Sequence, residues 1–347
     1  MPKVSPRSIT QARPAGRHVA LVALPDAVLS TLAGIYDVMN AAAMMGLTNV
    51  AAKAPFQVEI VGEKAGPLEL ASGVPIQVQR AIDTLDSTDI VIVPSVLLRG
   101  PAWRSGRYPR LVEWVQRMHA GGAVLCSACS GIFLLAETGL YDGRDATVHF
   151  NYARQFAAAH PAVTIHPERV LVISGRAEDL VSSGASNTWH DMVLYLVARF
   201  AGPTDAQELA RMFALQWHQD GLAPFITFEG KSDHSDAEIQ GAQRWLSTHF
   251  SVASPVEEMV KQSHLAERTF KRRFTAATGI APIAYVQRLR IEDAKRRLER
   301  TDAPIDDISW RVGYEDAAFF RRLFKRTTGM APGAYRKRFR IPEFART

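Results

Sequence analysis

Both cysteines of this 347-residue chain lie three apart, in the stretch LCSACSG from Leu125 to Gly131. A C-x-x-C spacing suits a redox dithiol or half of a zinc site. Geometry argues against both. The apolar run GAVLCSA reads as a strand through Ala128, which sets the two thiols about 10 Å apart on opposite faces. A disulfide needs Cα atoms within about 7 Å, and no second cysteine pair completes a zinc site. Cys126 is therefore read as a buried strand residue. Cys129 ends the strand, is followed by Ser130 and Gly131, and then a helix begins at IFLLAE. Strand, sharp turn, nucleophile, small residue, helix is the layout of a nucleophile elbow. A small residue at 131 lets the turn close, and a helix N-terminus favours a thiolate at Cys129. Twenty residues on, His149 is of the type that serves a thiolate as base.

These residues have to be positioned by a fold. HVALVAL (18–24), FQVEIVG (56–62), DIVIVP (89–94), GAVLCSA (122–128), RVLVIS (169–174) and LVSSG (180–184) read as strands. Several are apolar throughout, as a parallel sheet covered on both faces requires. LSTLAGIYDVMNAAAMM, YPRLVEWVQRMHA, SGIFLLAETG and NTWHDMVLYLVARFAG have helical spacing between them. The pattern predicts a doubly wound α/β domain over 17–215. A tail over 1–16 precedes it. Lys3, Arg7, Arg13 and Arg17 before VALVAL imitate a signal peptide, but the apolar part is too short and meets Pro25-Asp26. The segment 216–236 collects Gly, Pro, Asp and His and reads as a linker. Beyond it, 237–347 is helical in pattern and rich in arginine.

Charge separates the two parts. Residues 1–230 carry 18 Lys+Arg against 20 Asp+Glu; residues 231–347 carry 23 against 15. A basic final third on a neutral-to-acidic body suggests a sensor or enzyme attached to a nucleic-acid binder. Two cysteines make no disulfide framework, and no apolar run nears the roughly 18 residues of a membrane span, so a cytoplasmic protein with no membrane partner is expected. The ten histidines show no paired H-x-x-x-H spacing with a cysteine nearby, so neither a metal nor a cofactor is expected.

The basic third repeats itself. HLAERTFKRRFTAATGIAPIAYVQRLR (264–290) and YEDAAFFRRLFKRTTGMAPGAYRKRFR (314–340) align at an offset of 50 and share 11 of 27 positions. In each unit a short helix (255–262; 304–313), a tight turn and a second helix (about 266–277; about 316–327) ending at Thr-Gly make the helix-turn-helix plan. In that plan the second helix enters the major groove. Phe270 and Phe274 face inward, as do Phe320 and Phe324, which leaves Glu267, Arg268, Lys271 and Arg272 outward on the first reader helix. Ala317, Arg321 and Arg322, with Asp316, face outward on the second. A helix over about 283–299 with Arg288, Arg290, Lys295, Arg296 and Arg297 separates the units, and its guanidinium groups suit phosphates or guanine edges.

The last third resembles the AraC family of transcription regulators, most specifically in Ile305 to Tyr314 and in F-x-R-x-F-K-R-x-T-G from Phe320 to Gly329. The first domain resembles the class-I glutamine-amidotransferase-like superfamily of the intracellular-protease type, in its GlxA-type branch fused to AraC-type domains. Ser127 to Ala136, Gly139 to His149 and the stretch 182–200 carry that likeness. It implies a flavodoxin-like fold and a ligand sensor whose pocket holds Cys129, Ser130, His149, Trp189 and Thr31. Thr31 stands where enzymes of the superfamily place an acid, so the resemblance implies no enzyme; a Cys-dependent hydrolase or amidase fused to a DNA-binding domain is the alternative. The resemblance further implies a homodimer that activates transcription at promoter DNA through RNA polymerase, in response to a nitrogenous small-molecule effector. Trp217 and His218 are read as packing residues, and Asp191 as structural.

Overall fold

The computed structural model describes residues 16–44, 55–98 and 103–345. The chain divides into two units, Met1–Leu222 and Ala223–Thr347. The division falls inside the 216–236 stretch, and the 1–16 tail lies outside the described residues apart from Gly16. Among the described residues no helix is long and apolar enough to cross a membrane.

The first unit is built on a seven-stranded sheet. Across it the order is Leu171–Ser174, Leu180–Ser183, Val124–Ala128, Ile90–Val93, Arg17–Val22, Phe56–Gly62, Arg80–Ala81. Neighbours run parallel, except that 171–174 is antiparallel to 180–183. Residues 90–93 and 124–128 are buried at every position, which is why their sequences do not alternate. The edge strand 171–174 keeps partly exposed positions, and its sequence does not distinguish it from the parallel strands. Two short strands, Gly66–Glu69 and Pro75–Val78, pair as a hairpin that the sequence did not announce, because four residues with Gly and Pro are too few to establish a period.

After strand 17–22 the chain moves outward to 56–62 and 80–81, then returns to lay 90–93 on the other side of 17–22. That reversal is a topological switch point, where loops at the carboxyl ends diverge and leave a crevice. Here the two loops are tied together. Ala27 and Val96 form a bridge, Val28 N donates to Ser95 O (2.8 Å) and Leu97 N donates to Asp26 O (2.8 Å). The elbow after strand 124–128 sits next in line.

The second unit contains two hydrophobic cores. One collects Ile239, Leu246, Met259, Phe270, Phe274, Tyr285 and Val286; the other collects Ile291, Leu298, Ile308, Val312, Phe320, Phe324 and Tyr335. Helix Pro282–Arg300 supplies residues to both, and its 19 residues span about 28 Å. The repeated sequence produces repeated caps. Gly279 and Gly329 take φ of 81° and 77°, and Thr278 and Thr328 each donate to the carbonyl four residues back at 2.8 Å.

Arg290 lies where helix 282–300 passes from one core to the other. It donates from Nε to Phe250 O (2.7 Å), from Nη2 to Val252 O (2.8 Å) and from Nη1 to Gly313 O (2.8 Å), with its guanidinium over the Tyr314 ring. It is 7% exposed, and Lys295 is similarly buried, donating to Ile226 O. Neither is the outward phosphate contact that the arginine-rich pattern predicted: the Arg290 head group is consumed by main-chain carbonyls, and that of Lys295 by Ile226 O and the Glu292 carboxylate (3.1 Å). The carbonyl partners lie tens of residues away in sequence, which helical periodicity does not reveal. Arg290→Ala is expected to cost about 2–4 kcal/mol, since three carbonyls lose a charged donor. Arg290→Lys is expected to recover little of it, because an ammonium lacks the planar fork. Urea unfolding of both variants checks this; wild-type stability of the lysine variant would disprove it.

Candidate functional site

The elbow is strained as the strand–turn–helix layout requires. Cys129 has φ of 53°, a left-handed conformation that costs a non-glycine residue about 1–3 kcal/mol. Two contacts hold it there. A Cβ on Gly131 would stand 2.5 Å from Pro94 O and 2.6 Å from Val93 O, so the turn closes against the end of strand 90–93 only with glycine. Ser130 Oγ donates to Val96 O (2.6 Å) and accepts from Val96 N (2.9 Å), stitching the elbow to the switch-point loop.

The surroundings of the thiol are hydroxyls. Cys129 Sγ lies 3.6 Å from Ser186 Oγ, with the Ser95 and Ser130 hydroxyls close by. Thr31 Oγ1 in turn donates to Ser95 Oγ (3.1 Å), so the residue at the acid position joins the same network without bringing a charge. Burial pushes the Cys129 thiol above its ordinary range, and the serine hydrogen bonds offset this only in part. The expectation of a thiolate is thereby corrected. The following helix is a single short turn, Ile132–Ala136, behind a 3-10 segment, and desolvation outweighs its dipole. Cys126 is pushed up as well, buried in mid-strand with no role in the elbow.

Trp189 reaches this region from the other side. A Cβ on Gly34, three residues beyond Thr31, would stand 2.6 Å from its indole, so helix Leu29–Met44 packs on that ring. His149 is engaged elsewhere. Its Nδ1 accepts from Asn151 N (3.2 Å), its ring lies against Phe150 and Tyr152, and burial lowers its pKa. The hydrogen-bond partners of the thiol are serines and not this imidazole. The structure thus brings together Cys129, Ser130 and Thr31, packs Trp189 beside the last of these, and occupies His149 with its own turn. Ser95 and Ser186 were missed; the signal available was that each follows the carboxyl end of a strand. A cleft of about 280 Å³ also opens at the carboxyl ends of strands 17–22 and 56–62, where Lys64, Arg107 and Tyr108 are among its walls. Tyr108 donates to the buried Asp26 (2.5 Å), and Arg107 pairs with the same carboxylate.

In the second unit, helices Pro255–Ser263 and Glu267–Thr278 are joined through His264 in the left-handed region, and Ile305–Arg311 and Ala317–Thr328 through Gly313 with φ of 95°. On the first reader helix Glu267, Arg268, Lys271 and Arg272 are exposed, with Glu267 and Lys271 paired to each other. Arg268 and Arg272 have no ion-pair partner among the described residues. On the second, Arg322 is exposed near Asp316, Ala317 is half-buried, and Arg321 pairs with Asp306. Asp316 caps its helix, accepting from Ala318 N (2.8 Å) and Phe319 N (2.9 Å). Exposed pairs such as Arg321–Asp306 are worth about 0–1 kcal/mol, so a phosphate can compete for the guanidinium.

Two family models match the chain: the DJ-1/PfpI family over residues 31–199 and a helix-turn-helix domain over 259–338. The chain joins a DJ-1/PfpI domain to an AraC-type helix-turn-helix domain. The HTH-type transcriptional regulator CdhR of Pseudomonas aeruginosa is 24% identical over 267 residues, which is 75% of this chain and 76% of that protein. The HTH-type transcriptional activator RhaS of Klebsiella pneumoniae is 31% identical over 90 residues, 26% of this chain; the match spans about a third of RhaS, 32%. A solved AraC family transcriptional regulator from Pseudomonas putida matches at 19% identity and TM-score 0.47, over 57% of this chain and 99% of that one.

Within the DJ-1/PfpI domain, a protonated and buried thiol makes a testable statement. In a Cys126→Ala background, alkylation of Cys129 by iodoacetamide at pH 8 is expected to run at least about tenfold slower than for a free thiol, since its thiolate forms only above the ordinary range. A rate equal to that of free cysteine would show an activated nucleophile instead.

Proposed function

We propose that this protein is a cytoplasmic homodimeric regulator, an activator, whose DJ-1/PfpI domain binds a small metabolite and whose two helix-turn-helix units bind promoter DNA beside RNA polymerase. The DNA-binding reading rests on one observation above the others: two helix-turn-helix units, each ending in the same Thr-Gly cap, present exposed basic residues on their second helices. Arg268, Arg272, Arg321 and Arg322 are assigned to DNA, together with Lys271, Glu267 and Ala317. The names of CdhR and RhaS support regulation, and that of RhaS supports activation.

The sensing reading is supported by the elbow. The thiol stands among hydroxyls, with Thr31 in place of an acid and His149 held in its own turn, an arrangement that offers it no general base among the described residues. Cys129, Ser130, Thr31 and Trp189 are assigned to the effector pocket, with His149 at its margin; a nitrogenous metabolite is the effector class. One observation favours a hydrolase or amidase instead: the left-handed backbone at Cys129 is kept. Metabolite consumption that disappears in Cys129→Ser would establish that alternative, whereas a raised melting temperature without turnover fits a sensor.

Arg272→Ala is expected to cost about 1–3 kcal/mol on the specific promoter site and much less on random DNA. Titrations on the two DNAs at one salt concentration decide it, and equal losses would mean that Arg272 holds a phosphate rather than a base.

A further inference from the structure

His190 and Asp191 open helix Trp189–Phe200, and His218 lies on the segment that passes beside it four residues before the end of the unit. Their side chains converge. His218 Nδ1 is 2.7 Å from Asp191 Oδ2, and His190 Nε2 is 3.4 Å from the same oxygen. One ligand atom from each residue lies within 4.8 Å of the other two. His190 Nε2 is also 2.9 Å from Gln216 O, and the two imidazole rings stand 5.1 Å apart. The carboxylate is 1% exposed and His190 5%. The elbow chemistry uses none of these groups.

We infer that His190 Nε2, Asp191 Oδ2 and His218 Nδ1 form a binding site for a divalent first-row transition metal of the zinc type. Zinc binds imidazole nitrogen and carboxylate oxygen at about 2.0–2.2 Å, so tetrahedral ligands stand about 3.4 Å apart. The His190–Asp191 separation already matches this, and the His218–Asp191 pair opens by less than an ångström. In the metal-free arrangement the two ligating nitrogens face acceptors, His190 Nε2 the Gln216 carbonyl and His218 Nδ1 the Asp191 carboxylate. On binding the metal takes the place of the proton on each ligating nitrogen, which is released to solvent.

A hydrogen-bonded clamp without metal would account for the contacts but not for the open side. Asp191 and His218 also line a cleft of about 370 Å³ with Val170, Leu171, Trp217 and Gln219, which gives an ion a way in and leaves room for a fourth ligand from solvent. Two imidazoles and a carboxylate favour zinc, copper, nickel or cobalt over magnesium or calcium. Linear spacing hid this site, because the third ligand is 27 positions from the second and meets it only through the fold.

The test uses the tag-free full chain stripped with chelator and titrated with Zn²⁺, Co²⁺ and Mg²⁺ alone. One Zn²⁺ per chain is expected, with no Mg²⁺, and Co²⁺ should give the intense visible bands of a four-coordinate site. His190→Gln and His218→Gln should each weaken Zn²⁺ at least about 100-fold, since loss of even an outer-shell partner costs 10–100-fold. His166→Gln, at a histidine paired with Asp145 instead, should bind as the wild type does. No stoichiometric Zn²⁺ on the wild-type chain, or octahedral Co²⁺ only, would overturn the site even if the variants failed to fold. So would binding that survives both substitutions.

Discussion

The DNA-binding unit depends on a buried guanidinium. Helix 282–300 gives Tyr285 and Val286 to one core and Ile291, Ala294 and Leu298 to the other, and Arg290 sits at the crossing. Its donors go to carbonyls on both sides, Phe250 and Val252 in the turn after helix Ala237–His249 and Gly313 in the turn of the second helix-turn-helix. Gly313 has no room for a side chain there: a Cβ would lie 2.6 Å from Ser251 O and 2.8 Å from the guanidinium carbon of Arg290. Besides helix 282–300, the two small cores share the segment before helix Ala237–His249, where Phe228 packs on Tyr285 and Phe225 on Phe339. The charged fork ties the two together where the helix crosses between them.

The repeat shows how one sequence pattern acquires two physical roles. Thr278 and Thr328, Gly279 and Gly329, and Phe274 and Phe324 act alike, since caps and buried rings are local matters. Arg288 and Arg338 each stack over a phenylalanine, Phe228 and Phe225, at 5.3 Å. Arg290 and Arg340 part company. The first is sealed between two cores, while the second pairs with the exposed Asp302. The last arginine of the motif has a second unit to tie down in one copy and none in the other.

In the DJ-1/PfpI domain the counterpart constraint is the strained elbow. The backbone energy at Cys129 is sustained by Gly131 against strand 90–93 and by the double hydrogen bond of Ser130 to Val96. The geometry that elsewhere displays a nucleophile is here filled with hydroxyls that hydrogen-bond a protonated thiol. Thr31 from helix Leu29–Met44, Ser95 after strand 90–93 and Ser186 after strand 180–183 join the network, so it belongs to no one segment.

Much of this was legible in the residues. Apolar runs set the parallel strands, because a strand buried on both faces has no polar positions to alternate. The Cys-Ser-Gly elbow was legible because only glycine clears the neighbouring carbonyls, and the Thr-Gly repeats because a left-handed cap asks for glycine. The caps are requirements of local backbone geometry that sequence determines alone, whereas the carbonyls that Gly131 clears are brought to it by the fold. What charge each group carries, and whom it meets, was settled by the fold. Helix-terminus reasoning predicted a thiolate, but burial among serines leaves a thiol. Arginine count marked Arg290 and Lys295 as outward, yet distant carbonyls draw them in. His218 meets Asp191 across 27 positions. Desolvation and long-range hydrogen bonding depend on what surrounds an atom in three dimensions, and no spacing along the chain encodes that.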